Sequence, residues 1–167
     1  MKKRQGFTLI ELLIVIGVIA ILAGIIYVAV DPARRLAEAR NAERWSSVNA
    51  VLNAVLKYTV DQSGLLPATA TAIDSAAGTV QIIGEGGTAC DLVTCTGETV
   101  AGSNCFVSGL DTDLVDNYLA AIPEDPSTGS AANTRYFINK SANGRITVGA
   151  CAEETVGGST PVISVSR

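Results

Sequence analysis

The stretch Phe7 to Val30, FTLIELLIVIGVIAILAGIIYVAV, constrains this chain more than any other. Its only charge is Glu11, and its only other polar side chains are Thr8 and Tyr27. At about 1.5 Å per residue, a helix of this length reaches about 36 Å, enough to cross a hydrocarbon core of about 30 Å with some tilt. Apolar residues surround it on every side, so it does not read as a striped helix lying on a soluble core. The single carboxylate falls four residues after Phe7, where the hydrocarbon begins, and nothing in the stretch is expected to pair with it.

Upstream lies Met1-Lys2-Lys3-Arg4-Gln5-Gly6. A secretory signal peptide carries an apolar region of about 7–15 residues and an A-x-A cleavage site. The present run is too long, and the nearest A-x-A, Ala37-Glu38-Ala39, lies beyond it in a charged segment. Lys2, Lys3 and Arg4 favour a cytoplasmic N-terminus and an outward C-terminal part. Arg34 and Arg35 on the outer side oppose that rule, but the early hydrophobic segment usually dominates.

The string Gly6-Phe7-Thr8-Leu9-Ile10-Glu11 behind a short basic leader closely resembles the class III signal of type IV pilins and of the pseudopilins of type II secretion. The resemblance implies that a membrane-embedded prepilin peptidase cuts between Gly6 and Phe7 and methylates the new amine of Phe7. It implies that Glu11 matches the glutamate used in filament assembly, paired with the Phe7 amine of an adjacent subunit. A plain single-pass anchor is the other reading of the same residues.

The net charge is −4, and loss of Lys2, Lys3 and Arg4 makes it −7, which argues against a nucleic-acid-binding surface. The chain has no His, and so lacks the commonest general base and the commonest transition-metal ligand. There is no Ser–His–Asp set and no phosphate-cradling Gly-Lys loop, and Gly84-Glu85-Gly86-Gly87 reads as a turn. The chain reads as a building block and not as an enzyme, with no cofactor expected.

Asp31-Pro32 closes the apolar run, with Asp31 suited to N-cap and Pro32 to the first helical position of a new helix. Residues 33–62 read as an amphipathic helix ended by Gly64 and Pro67. Its apolar face is expected to run Leu36, Ala39, Ala42, Trp45, Val48, Leu52, Val55, opposite a basic stripe of Arg34, Arg35, Arg40 and Arg44. From Thr59 to Arg167 there are twelve acids and four bases, so a basic stem faces an acidic head and can pair between neighbouring subunits. Ala20 and Gly24 suit close helix approach, Gly17 and Gly24 are soft points in the helix, and the resemblance places a loss of helical order between Gly17 and Gly24 in a filament.

After a loop over 65–79, β-type runs occupy 79–83, 98–101, 104–107, 136–139, 145–149 and 161–165. Asn143-Gly144 marks a hairpin turn. Asp111 to Ile122 reads as a short helix ended by Pro123. The expected fold is α+β: a long N-terminal helix and a small, mostly antiparallel sheet, as in the pilin fold. The divisions are 1–6 leader, 7–30 membrane or filament-core helix, 31–62 stem helix and 63–167 head.

Cys90, Cys95, Cys105 and Cys151 suit an exported domain and allow three pairings. Local geometry favours Cys90–Cys95 with Cys105–Cys151. Zinc is disfavoured, because there is no C-x₂-C pair and no His. Asp111, Asp113 and Asp116 form an acidic cluster with oxygen ligands of the type Ca²⁺ takes, a weak calcium candidate that lacks the EF-hand glycine and distal Glu. The resemblance implies an inner-membrane precursor that meets the prepilin peptidase and a pilus or secretion assembly platform. It then forms a homopolymer at the cell surface, or a periplasmic pseudopilus.

Overall fold

The computed structural model describes residues 6–67, 73, 79–86, 90, 94–102 and 105–167. The leader bases Lys2, Lys3 and Arg4, most of the loop over 65–79, and Asn104 lie outside the described residues. The chain forms two compact units, one ending at Leu36 and one running from Ala37 to Arg167.

The first unit is dominated by α1, Leu9–Val30. None of its residues is buried within the chain, and Gly17 and Gly24 are accommodated without a break. By length and composition, the helical stretch that begins at Leu9 can cross a membrane. Asp31 ends α1 in the left-handed region, at φ 44°. Its Oδ1 accepts from the N–H of Arg34 at 3.4 Å, so the same residue caps α2, Pro32–Asp61, with Pro32 first in the helix.

In the second unit α2 lies under a sheet. Its buried face is Ala37, Asn41, Arg44, Val48, Val51, Leu52, Ala54 and Val55. Val48, Leu52 and Val55 are buried as expected, but the upstream half of the expected face is corrected. Trp45 is 41% exposed and Leu36 57% exposed, Ala39 and Ala42 are also outside, and Arg44 has no solvent contact. Spacings of four and three from Ala37 through Asn41, Arg44 and Val48 put the polar pair on the core side. The helix ends where Ser63 and Gly64 take positive φ and the Gly64 N–H bonds the Thr59 carbonyl at 2.7 Å.

The sheet holds β1 Thr79–Ile83, β2 Thr99–Val100, β3 Phe106–Val107, β4 Tyr136–Lys140, β5 Ile146–Ala150 and β6 Ser164–Ser166. The path is β2-β1-β4-β5-β6, with β3 also on β1. Pairing of β1 with β4, β4 with β5 and β5 with β6 is antiparallel, but β2 and β3 both run parallel to β1. The sheet is therefore mixed, because the chain returns from β1 through a crossover and not through a hairpin. The β4–β5 hairpin turns over 141–145 with Gly144 at φ 82°. The short helix α3 covers only Leu110–Leu114 and does not reach Ile122. Val115 goes extended and Asp116 takes φ 69°, which carries the Tyr118 hydroxyl to Asp61 Oδ2 at 2.8 Å.

The sheet has two covered faces. Ile83, Tyr136, Ile138, Val148 and Ala150 pack with the α2 residues. Val80, Ile82, Phe106 and Phe137 pack with cysteines on the other face. The Phe137 ring lies over Gly149, where any Cβ would approach it to 2.4 Å.

The disulfides are Cys90–Cys105 and Cys95–Cys151, and all four thiols are used. The expected pairing, Cys90–Cys95 with Cys105–Cys151, is wrong. The parallel return brings Cys105 beside β1, where its carbonyl accepts from the Ile82 N–H, while Thr96 bonds the Cys151 carbonyl and seats Cys95 at the end of β5. Neighbours in sequence are thus held apart by the crossover.

On the α2 side, Arg44 donates from Nε to Asp125 Oδ2 at 2.6 Å and from its second terminal nitrogen to Asp125 Oδ1 at 3.2 Å, a bidentate pair. The guanidinium also reaches Glu154 Oε1, Ser127 Oγ and Asn41 Oδ1. Asn41 exchanges two bonds with the Glu154 backbone, and Arg40 adds an ion pair to Glu154 at 3.2 Å. Burial works to raise the Asp125 carboxyl, but the Arg44 guanidinium and the Ser127 and Thr128 donors outweigh it and hold it at about 2.

Two outcomes follow. Non-reducing digestion with cleavage at Asp91, Glu98 and Glu124 will yield separate linked peptides for Cys90–Cys105 and Cys95–Cys151, and removing the latter bond will cost about 4 kcal/mol by loop-closure entropy. Because the folded Asp125 binds its proton more weakly than the unfolded chain does, its contribution of about 2 kcal/mol is full above about pH 4 and is lost as pH falls toward 2. Trp45 fluorescence of the full chain in urea will show Asp125→Asn destabilised by about 3 kcal/mol at pH 7, with a flatter pH dependence in that window.

Candidate functional site

The site begins at the first described residues. Gly6 and Phe7 are exposed, outside regular structure, and Thr8 is extended at φ −78° and ψ 152°. The helix starts at Leu9 because Thr8 caps it. The Thr8 hydroxyl oxygen accepts from the Glu11 N–H at 3.2 Å. In return, Glu11 Oε2 accepts from the Thr8 N–H and from the Thr8 hydroxyl, each at 3.2 Å. This is a complete capping box, which satisfies two donors that the first helical turn would otherwise leave without partners.

The expectation that nothing in the stretch pairs with Glu11 is therefore corrected. The carboxylate is anchored one turn away, at the positive end of the helix dipole. The signal was present as Thr8-x-x-Glu11 ahead of an apolar run. The Gly6–Phe7 bond lies in exposed chain outside regular structure just before the capped helix, where a Cβ added at Gly6 meets no neighbour within 4 Å.

The other expected residues lie elsewhere. All four cysteines sit in the head as structural staples. Asp111 and Asp116 are exposed on α3 and the turn after it. Among the described residues no three His, Cys, Asp or Glu side chains are grouped to hold a metal ion, so Asp111, Asp113 and Asp116 do not converge. Arg44, expected on an exposed basic stripe, instead joins Asn41, Asp125 and Glu154 in a polar cluster.

A long apolar N-terminal helix with a capped, exposed start, followed by a small mixed-sheet head, is an α+β, pilin-like layout. Residues 1–27 match the family model of the prokaryotic N-terminal methylation motif, so the chain carries the prepilin-type signal of type IV pilins and pseudopilins. Comparison with curated proteins and with solved structures finds no match. The signal and the apolar helix fit a membrane-anchored precursor of the pilin or pseudopilin type, a class of structural subunits.

If the Thr8 cap sets the helix start, Thr8→Ala will loosen the first turn by about 1 kcal/mol, while Thr8→Ser will not. Amide exchange of Leu9 to Leu12 in the full chain in detergent micelles will read this, with faster exchange for Thr8→Ala alone.

Proposed function

We propose that this chain is the precursor of a type IV pilus subunit, assembled into a filament through packing of its apolar helix. The observation that carries the reading is the methylation-motif match over residues 1–27, beside a capped helix start that leaves Gly6 and Phe7 exposed. In this reading residues 1–6 are removed by the prepilin peptidase and Phe7 becomes a methylated N-terminus. Residues 7–30 anchor the precursor in the inner membrane, with residues 31–62 as stem and 63–167 as an exported head.

Glu11 is the registration group. A carboxylate in lipid costs about 2.5–3.5 kcal/mol at a helix centre and less toward the interface. The capping box supports this residue in the monomer at the cost of one acceptor oxygen, since both bonds from Thr8 fall on Oε2. Its other oxygen is set to meet the charged Phe7 amine of an adjacent subunit. In apolar surroundings that attraction is strengthened, so incoming subunits are favoured at the axial offset that pairs it. The disulfide-stapled head then faces solvent.

Peptide mapping of sheared or membrane material is expected to find a chain starting at Phe7 with a methylated amine. A mature chain still beginning at Met1, in cells with an active prepilin peptidase, would sink the reading. Glu11→Val is expected to insert, be cleaved and fold its head, yet give almost no fibres. Wild-type fibre yield from that variant would remove the pairing mechanism. Long fibres at native expression separate a pilus from the short pseudopilus of type II secretion, and absence of any polymer would leave a single-pass anchored module.

A further inference from the structure

Charge is distributed unevenly over the two ends of the head's sheet, with Arg135 the base beside Tyr136, its guanidinium donating to the Thr128 hydroxyl and the Thr94 carbonyl. Register places Ile83, Tyr136 and Ala150 at one end and Lys140, Ile146 and Arg167 at the other, about 13 Å apart over four steps of strand. Of the four bases between Thr59 and Arg167, three lie at that second end: Lys140, Arg145 and Arg167. Lys57 of α2 shares a shallow hollow there with Arg167. The carboxylate in that hollow, Asp61, accepts the Tyr118 hydroxyl. Lys140 and Arg145 flank the β4–β5 turn, which is held by bonds between Ser141 and Arg145. They make a basic hairpin tip.

The first end is concave and acidic. A cavity of about 280 Å³ has an apolar floor of Ile83, Val107 and Leu110, with Ile122 beside them. Its lining includes three solvent-exposed carboxylates, Glu85, Asp111 and Glu124, and no base. One wall is fixed by Gly84 at φ 149°, where a Cβ would strike the Ala132 carbonyl at 2.6 Å. That close approach holds the 131–132 loop against the end of β1 and keeps the wall in place. An apolar floor under a carboxylate rim suits a side chain with an aliphatic stem and a cationic head.

We infer that this cavity receives the Lys140–Arg145 hairpin tip of a second copy of the chain, so that heads associate end to end. The Arg145 stem lies on the apolar floor and its guanidinium meets the carboxylate rim, with Lys140 beside it. The contact joins two different surfaces of the same head, a heterologous interface that does not close on itself and propagates along a fibre. It rests on the reading of the chain as a filament subunit, and it adds to helix packing a second, electrostatic contact between heads.

The test uses the full chain, as a mixture of ¹⁴N- and ¹⁵N-labelled protein in detergent micelles, treated with a carbodiimide that joins lysine to carboxylate. Mixed-isotope peptides linking Lys140 to Glu85, Asp111 or Glu124 are expected. Arg145→Glu places like charges together and is expected to lower cross-linked dimer about tenfold. Adding Glu124→Arg alone to that variant, which gives the introduced carboxylate a cation and keeps Glu85 and Asp111 as coupling partners of Lys140, is expected to restore it. No mixed-isotope Lys140 link, an unchanged yield in Arg145→Glu, or no restoration by the charge swap would each overturn the inference. The N-terminus is mapped in the same cells that supply the protein. A chain that retains residues 1–6 overturns the filament reading, while the cross-links decide the end-to-end contact separately.

Discussion

A guanidinium without solvent contact governs how this head is put together. Arg44 sits on the core side of α2, and taking its charge out of water is costly unless its donors are met. They are met by Asp125 in a bidentate pair, and by Glu154, Ser127 and Asn41. Asn41 is one turn away on α2, while the others come from residues 125–127 and 154, far along the sequence. Replacing the whole cluster by apolar groups need not weaken the fold, but removing one partner leaves a buried charge. The network therefore acts through specificity. It holds α2 at one register against the sheet, because a slip of one residue would strand Arg44 away from Asp125.

With α2 fixed on one face, the other face is covered by the cysteines and their neighbours among the described residues. The strands are short, and β2 and β3 have only two residues each. Two disulfides fasten the 90–105 region across that face, tying it to β3 and to the end of β5. This follows from the composition, since a core with 5% aromatics has little large side-chain surface to bury and gains from cross-links. The Phe137 ring over Gly149 shows the same economy, one large group filling the space a second side chain would need.

The N-terminal unit solves a different problem. Among the described residues nothing buries α1, so its apolar surface has to be met by lipid or by other helices. Only its start needs polar partners, and Thr8 and Glu11 supply them to each other. The same carboxylate that the filament reading assigns to registration is thus already a structural group in the monomer. An assembly role has to be added to a capping role without removing it, and one unused carboxylate oxygen allows that.

Much of this was legible in the residues. The apolar run set α1, Asp31-Pro32 set the boundary with α2, and β-type runs bounded by Gly and Ser marked every strand to within a few residues, because these depend on local periodicity and turn chemistry. The Gly6 to Glu11 string was legible as a signal, and so was the capping box within it. Tertiary structure alone decided the rest. Burial of Arg44 depends on carboxylates more than eighty residues away, which no local pattern contains. The two cystine pairings depend on β1 returning by a parallel crossover, so that nearness in sequence misleads. The early end of α3 depends on Tyr118 finding Asp61 on another helix. The acidic cavity and the basic hairpin exist only once strand register has sorted sequence neighbours to opposite ends of one sheet.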